Sequence, residues 1–322
     1  MLNPKPKGYL LGAVAAASYG TNPLFALPLY GAGMNPDSVL LFRYLLALPI
    51  LGLMLTLRGH SLRVRPRQAV ALGGLGLLMA VSSLTLFLSY NYMAAGIAST
   101  LLFVYPILVA VLMALLFGER LSLRTLLCIA AAVGGIALLY KGEEGATLDT
   151  TGTLLVFASA LSYAIYIVGV NRPGLQDVAT LKVTFYVLMA GLLLFGGRLC
   201  GGAPLTLPST WWEWGCCLAL ALFPTAISFL CTTAAIQYIG STPTAILGAL
   251  EPVTAVLLGM AFFGERLSLR EFFGLVAIVT AVTFVVGSGV QNRERAAHPH
   301  TLPAYLMRLR KLFPRLRPRK RV

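Results

Sequence analysis

Gly118-Glu119-Arg120-Leu121-Ser122-Leu123-Arg124 recurs 146 residues later as Gly264-Glu265-Arg266-Leu267-Ser268-Leu269-Arg270. Each copy joins two long apolar segments. The likeness continues without a gap on the N-terminal side, where Tyr92, Leu101, Pro106, Leu112 and Phe117 meet Tyr238, Leu247, Pro252, Leu258 and Phe263. At a slightly shorter offset, Gly8, Ser18 and Tyr19 match Gly152, Ser162 and Tyr163. The repeat therefore covers nearly all of 8–290. Internal duplication in an apolar chain is how many transporters are built, so transport is the leading function.

The 322 residues are 58% hydrophobic and 11% charged, where a soluble domain carries about a quarter charged residues. Apolar runs of about twenty residues recur, enough to cross a bilayer. Ten spans are expected: 8–30, 38–57, 70–92, 97–117, 123–141, 151–170, 179–199, 213–237, 243–263 and 269–289. The fold class is thus an all-α polytopic membrane protein of two five-helix repeats, 1–148 and 149–290, with a basic tail over 291–322. Five is odd, so the second repeat enters the membrane inverted. The heptapeptide then faces opposite sides in its two copies, which suits a turn better than a substrate contact.

Basic residues set the orientation. With the N-terminus inside, the cytoplasmic segments hold Lys5, Lys7, Arg58, Arg63, Arg65, Arg67, Arg120, Arg124, Arg172 and Lys182. The other side holds Lys141, Arg198, Arg266 and Arg270. Trp211, Trp212 and Trp214 fall at the expected outer edge of span eight, the depth that aromatic rings favour. The first apolar stretch is longer than a signal-peptide core and reads as a retained span.

Cys128, Cys200, Cys216, Cys217 and Cys231 lie in or beside apolar segments without a CxxC spacing, and read as small membrane residues. His60, His298 and His300 fall in hydrophilic stretches. No cofactor or metal site is therefore expected. The chain has no G-x-S-x-G elbow, H-E-x-x-H pair or P-loop, so it is not expected to be an enzyme or to use ATP directly.

Two ionisable residues lie well inside the spans. Glu251 falls near the midplane of span nine, where an unpaired carboxylate is costly. It is either a proton-coupling group or a hydrogen-bonded strut between helices. Arg43, two turns into span two, either snorkels to the interface or lines the pathway, attracting carboxylates or pairing with Glu251. Pro106 and Pro252 occupy matching positions in spans four and nine. Each removes a backbone N–H and frees the carbonyl four residues back, on Leu102 and Gly248. Matched interruptions point to a transporter's central site. Ser99, Thr100, Thr242, Thr244 and Thr254 add polar groups nearby.

Span one carries Ser18, Tyr19, Thr21, Asn22 and Pro23, and span six answers with Ser162, Tyr163 and Tyr166. Tyr90 ends span three, and Gln237 and Tyr238 end span eight. These groups either bind a polar solute or bond helix to helix. The tail from Gln291 to Val322 is strongly basic. Tyr305, Leu306, Leu309, Leu312, Phe313 and Leu316 fall at helical spacing, as in a segment lying on anionic lipid; a solvated tail is the other reading. Nucleic-acid binding is not expected.

Together these features resemble the drug/metabolite transporter superfamily, specifically its EamA-type members. The likeness rests on Phe42-Arg43-Tyr44 opening span two, Glu251-Pro252 in span nine, and the Gly-Glu-Arg-Leu turns closing spans four and nine. The first half departs from the second in having Tyr105 where Glu251 stands. The resemblance implies an inner-membrane carrier, often an exporter of amino acids or related metabolites. Both halves enclose a central cavity, with spans five and ten peripheral. Asn22, Arg43, Tyr90, Tyr163, Gln237 and Glu251 are the expected pathway residues, with a small solute and protons as partners. Alternating access by rocking one half against the other is the expected mechanism. A gated facilitator, an importer or a non-transporting scaffold are the alternatives.

Overall fold

The computed structural model describes residues 4–59, 61–93, 101–117, 149–171, 173–176 and 178–263, with isolated positions between 98 and 134 and between 269 and 280. Most of these residues are helical, with no strand among them. Among the described residues six helices are long and apolar enough to cross a membrane: Pro6–Gly31, Pro36–Leu57, Pro66–Ser89, Thr150–Val170, Thr180–Cys200 and Trp211–Ile239. They fall within a few residues of expected spans one, two, three, six, seven and eight. Apart from Leu123 and Leu269, the repeated heptapeptides lie outside the described residues. So do most of spans five and ten, Ser99, Thr100 and the basic tail.

Several of these helices are interrupted. The first is α1 (Pro4–Tyr19) followed by α2 (Asn22–Gly31). Next come α3 (Pro36–Leu57), α4 (Pro66–Ser89) and the short apolar α5 (Tyr105–Phe117). After it come α6 (Thr150–Val170) and α7 (Thr180–Cys200). The last apolar stretches comprise α8 (Trp211–Ala221), a π-helical turn (Leu222–Ile227) and α9 (Ser228–Ile239), then α10 (Ser241–Leu247) and α11 (Leu250–Phe263).

Local chemistry fixes the helix starts. Asn35 caps α3 by accepting from Ser38 N at 2.8 Å, with Pro36 preset for the first turn. Asp149 caps α6 in the same way through Gly152 N at 2.8 Å. At α8 the Thr210 hydroxyl accepts from Glu213 N, while the Glu213 carboxylate accepts from Ser209 N and the Thr210 hydroxyl. Gly240 turns the chain from α9 into α10 at φ 90°, a conformation that favours glycine.

The most extensive packing joins helices from before Asp149 to helices after it: α4 on α6 and α7, α1 on α9, and α3 on α7. Hydroxyls pin these faces. Ser159 Oγ donates to the Ser82 carbonyl at 2.7 Å, and Ser228 Oγ donates to the Ala15 carbonyl at 2.9 Å. Such bonds count where lipid offers no hydrophobic drive between helices. At one end Asp37, in the first turn of α3, pairs with Arg198, in the last turn of α7, at 2.6 Å. At the other, Tyr186 donates to the Leu62 carbonyl at 2.5 Å.

Candidate transport site

Four interruptions meet in the centre of this bundle. α1 ends at Tyr19 and the chain restarts at Asn22-Pro23, with Thr21 Oγ1 returning to the Ser18 carbonyl at 2.7 Å. Turns at 103–104 and 248–249 precede α5 and α11, two residues ahead of Pro106 and three ahead of Pro252. Proline is tolerated in the first turn of a helix, so each restart falls where the missing N–H costs least. Each helix thus restarts just ahead of its proline, and the Gly248 carbonyl is not left free but accepts from Glu251 N at 2.9 Å. Gly20 lets α1 close on α11, since a Cβ there would strike the Glu251 carbonyl.

The fourth interruption carries a signal that the sequence reading passed over. Pro224 has no N–H to give the Leu220 carbonyl, and Thr225 Oγ1 takes that carbonyl at 2.7 Å instead. The helix widens into the π-turn, as often happens at functional sites. The widened turn presents the Pro224 carbonyl and the Thr225 hydroxyl to Arg43.

Arg43 does not snorkel. Its residue is 0% exposed. Nε donates to Thr225 Oγ1 at 2.5 Å, Nη1 to Asn22 Oδ1 at 3.1 Å and Nη2 to the Pro224 carbonyl at 3.0 Å. The rings of Tyr19, Phe87 and Phe229 surround the guanidinium carbon at 5.6, 5.6 and 5.9 Å. A planar fork matched by three acceptors and aromatic faces is a setting for arginine in particular. Pairing with Glu251, one of the alternatives for Arg43, is not made: among the described residues the ion pair is Arg198–Asp37. Asn22 is 3% exposed, and its Nδ2 has no partner in the structure.

Glu251 instead borders a small central cavity of about 20 Å³, lined also by Tyr19, Tyr105, Tyr163, Ser228 and Thr232. That is room for roughly one water. Tyr19 touches both charged neighbourhoods, facing Arg43 with its ring and lining the cavity beside Glu251. Tyr105, aligned with Glu251 in the repeat, is 3% exposed and donates to the Ala245 carbonyl at 3.2 Å. Tyr163 packs edge-on against Tyr105, ring centroids 4.8 Å apart, and stacks on Tyr166 at 6.1 Å.

The other expected residues lie elsewhere. Tyr90, just past α4, packs against Phe87 and Tyr30 rather than at the cavity. Gln237 accepts from Thr180 Oγ1 at 2.6 Å and donates to the Val178 carbonyl at 3.0 Å. It clamps the start of α7 to α9, away from the cavity. Tyr105, Thr225 and the Pro224 carbonyl belong to the central cluster but were not singled out as pathway residues. Among the described residues no group of three or more His, Cys, Asp or Glu is placed to hold a metal ion.

The model of the EamA-like transporter family matches the chain twice, over residues 6–141 and 150–287. The threonine/homoserine exporter RhtA of Escherichia coli strain K12 is 29% identical over 240 residues, 73% of this chain and 77% of that protein. An uncharacterized transporter of Archaeoglobus fulgidus is 29% identical over 193 residues, 58% of this chain and 65% of that relative's length. The uncharacterized transporter YcbK of Bacillus subtilis is 24% identical over 285 residues, covering 85% and 90% of the two chains. A solved crystal structure shares the fold with a TM-score of 0.75 at 21% identity, covering 91% of this chain and all of that one.

Proposed function

The chain belongs to the EamA-like transporter family, and from that premise we propose that it is an inner-membrane secondary exporter of small polar metabolites such as amino acids. The two successive family matches and the paired breaks ahead of Pro106 and Pro252 support ten spans in two inverted five-helix repeats, 1–148 and 149–290. The basic residues support cytoplasmic termini. RhtA, named as a threonine/homoserine exporter, supports amino acids as the solute class.

One observation carries the mechanism. The cavity at the broken helices holds Glu251 and has space for little more than a water. A constriction that leaves so little room at the repeat interface is what alternating access requires between its two open states. A continuously open pore would not have it. Glu251 serves as the proton-coupling group, with Tyr19 standing between its cavity and Arg43.

The closure does not suit rocking of one sequence half against the other, because the largest packed faces run between the halves. Opening is instead assigned to the short helices that pivot at 20–21, 103–104 and 248–249. Flux of labelled threonine in proteoliposomes, with and without a proton gradient, tests the reading. Gradient-driven accumulation is expected; equilibration alone at every pH would make the protein a facilitator, and no flux for any amino acid would remove the proposed solute class.

A further inference from the structure

A second, larger hollow lies outside the central site. It is an open groove of about 560 Å³ between α4, α5 and α6, within the ~300–1,000 Å³ range of small-ligand sites. Gly74 of α4 leaves its floor low and Gly169 of α6 lets Leu75 pack close, while Leu78, Leu112, Leu116 and Ile165 form apolar walls. Arg67 and Gln68 stand at one end, where α4 begins. The groove thus has one polar end and one long apolar trough.

Its dimensions match one leaflet. Arg67 to Leu78 spans eleven residues of α4, about 16 Å at 1.5 Å per residue. Half of a ~30 Å hydrocarbon core is about 15 Å. The polar end falls on the side that the basic residues assign to the cytoplasm. Arg67 is exposed, and Arg63 and Arg65 stand beside it in the preceding segment. The unsatisfied N–H groups at the start of α4 add positive potential at the same depth.

We propose that this groove is a binding site for an anionic phospholipid of the inner leaflet. One acyl chain lies along Gly74, and the phosphate meets Arg67 and Gln68. The site is separate from the transport chamber and rests on the cytoplasmic assignment of the 58–67 segment.

Native mass spectrometry of the delipidated full-length protein, titrated with dioleoylphosphatidylglycerol or dioleoylphosphatidylcholine, tests it. One tightly held phosphatidylglycerol is expected, with phosphatidylcholine retained more weakly. Arg67→Ala lowers phosphatidylglycerol retention about fivefold, the worth of one cation near an anionic surface. A Cβ on Gly74 meets nothing within 4 Å, so Gly74→Leu fills the trough without a backbone clash and abolishes the adduct. Gly73 is equally open but does not line the groove, so Gly73→Leu keeps it. If Gly74→Leu does not elute as a monodisperse species, Gly174→Leu plugs the polar end instead. Equal retention of the two lipids, identical adducts in Gly73→Leu and Gly74→Leu, or a lipid-free dimer that Gly74→Leu dissociates would each overturn the proposal.

Discussion

The Tyr105 hydroxyl donates to the Ala245 carbonyl at 3.2 Å, tying the restart of one broken helix to the segment that ends just before the other break. In the repeat, Tyr105 stands at the position of Glu251. The two halves thus place a phenol and a carboxyl on the same small cavity. In the proposed mechanism one position acts as a latch, and the other exchanges the coupled proton.

Removing the latch should favour opening. Tyr105→Phe deletes one hydrogen bond of about 0.5–1.5 kcal/mol, which corresponds to a shift of about two- to thirteenfold toward open states. Exchange of labelled threonine in proteoliposomes should change by that factor while the fold, read by thermal unfolding, is nearly unaffected. Unchanged exchange would mean that the 3.2 Å contact does not gate the chamber.

Gly248 is required by the same contact, because a Cβ there would collide with the Tyr105 hydroxyl. Gly248→Ala forces the ring to move and should cost about 1–3 kcal/mol, the range of overpacked cores. The double variant Gly248→Ala with Tyr105→Phe should recover part of that loss, because the colliding hydroxyl oxygen is gone. Thermal melts of the four proteins in one detergent provide the cycle.

Arg43 should govern stability more than any other charge in the bundle. Arg43→Ala leaves Asn22 Oδ1, Thr225 Oγ1 and the Pro224 carbonyl without the cation, and should cost about 3 kcal/mol or more. Arg43→Lys supplies a point charge that cannot match the fork, so it should recover only part. The Asp37–Arg198 pair is the contrast. With the Arg198 side chain 42% exposed, its loss in Arg198→Ala should cost about 0.2–1 kcal/mol.

Glu251→Gln keeps the side-chain volume and removes the exchangeable charge. Gradient-driven accumulation should fall to the level seen without a gradient, while threonine exchange at equal pH on both sides persists. A variant that still concentrates threonine from a proton gradient would assign coupling to another group.

The six long helices were legible because each needs only an unbroken apolar run, a property of local sequence. The breaks near Pro106 and Pro252 were legible because proline acts on its own backbone. The π-turn was not, since its widening depends on Thr225 Oγ1 capturing the carbonyl that Pro224 leaves free. Arg43 was undecided because its partners, Asn22 and the 224–225 pair, come from helices distant in sequence. Gln237 was undecided between solute binding and helix bonding because its partners, the Val178 carbonyl and Thr180 at the start of α7, are brought near only by tertiary packing.

The partners of Arg43 also arrive at very different times. Asn22 precedes it by 21 residues, whereas Thr225 follows by 182. At about 5–20 residues per second of synthesis, the ribosome needs roughly 10–40 s to deliver the π-turn. Throughout that interval Asn22 is the one of its three hydrogen-bonding residues already made, beside the rings of Tyr19 and Phe87. Biogenesis, more than the finished bundle, is where this arginine exposes the chain to quality control.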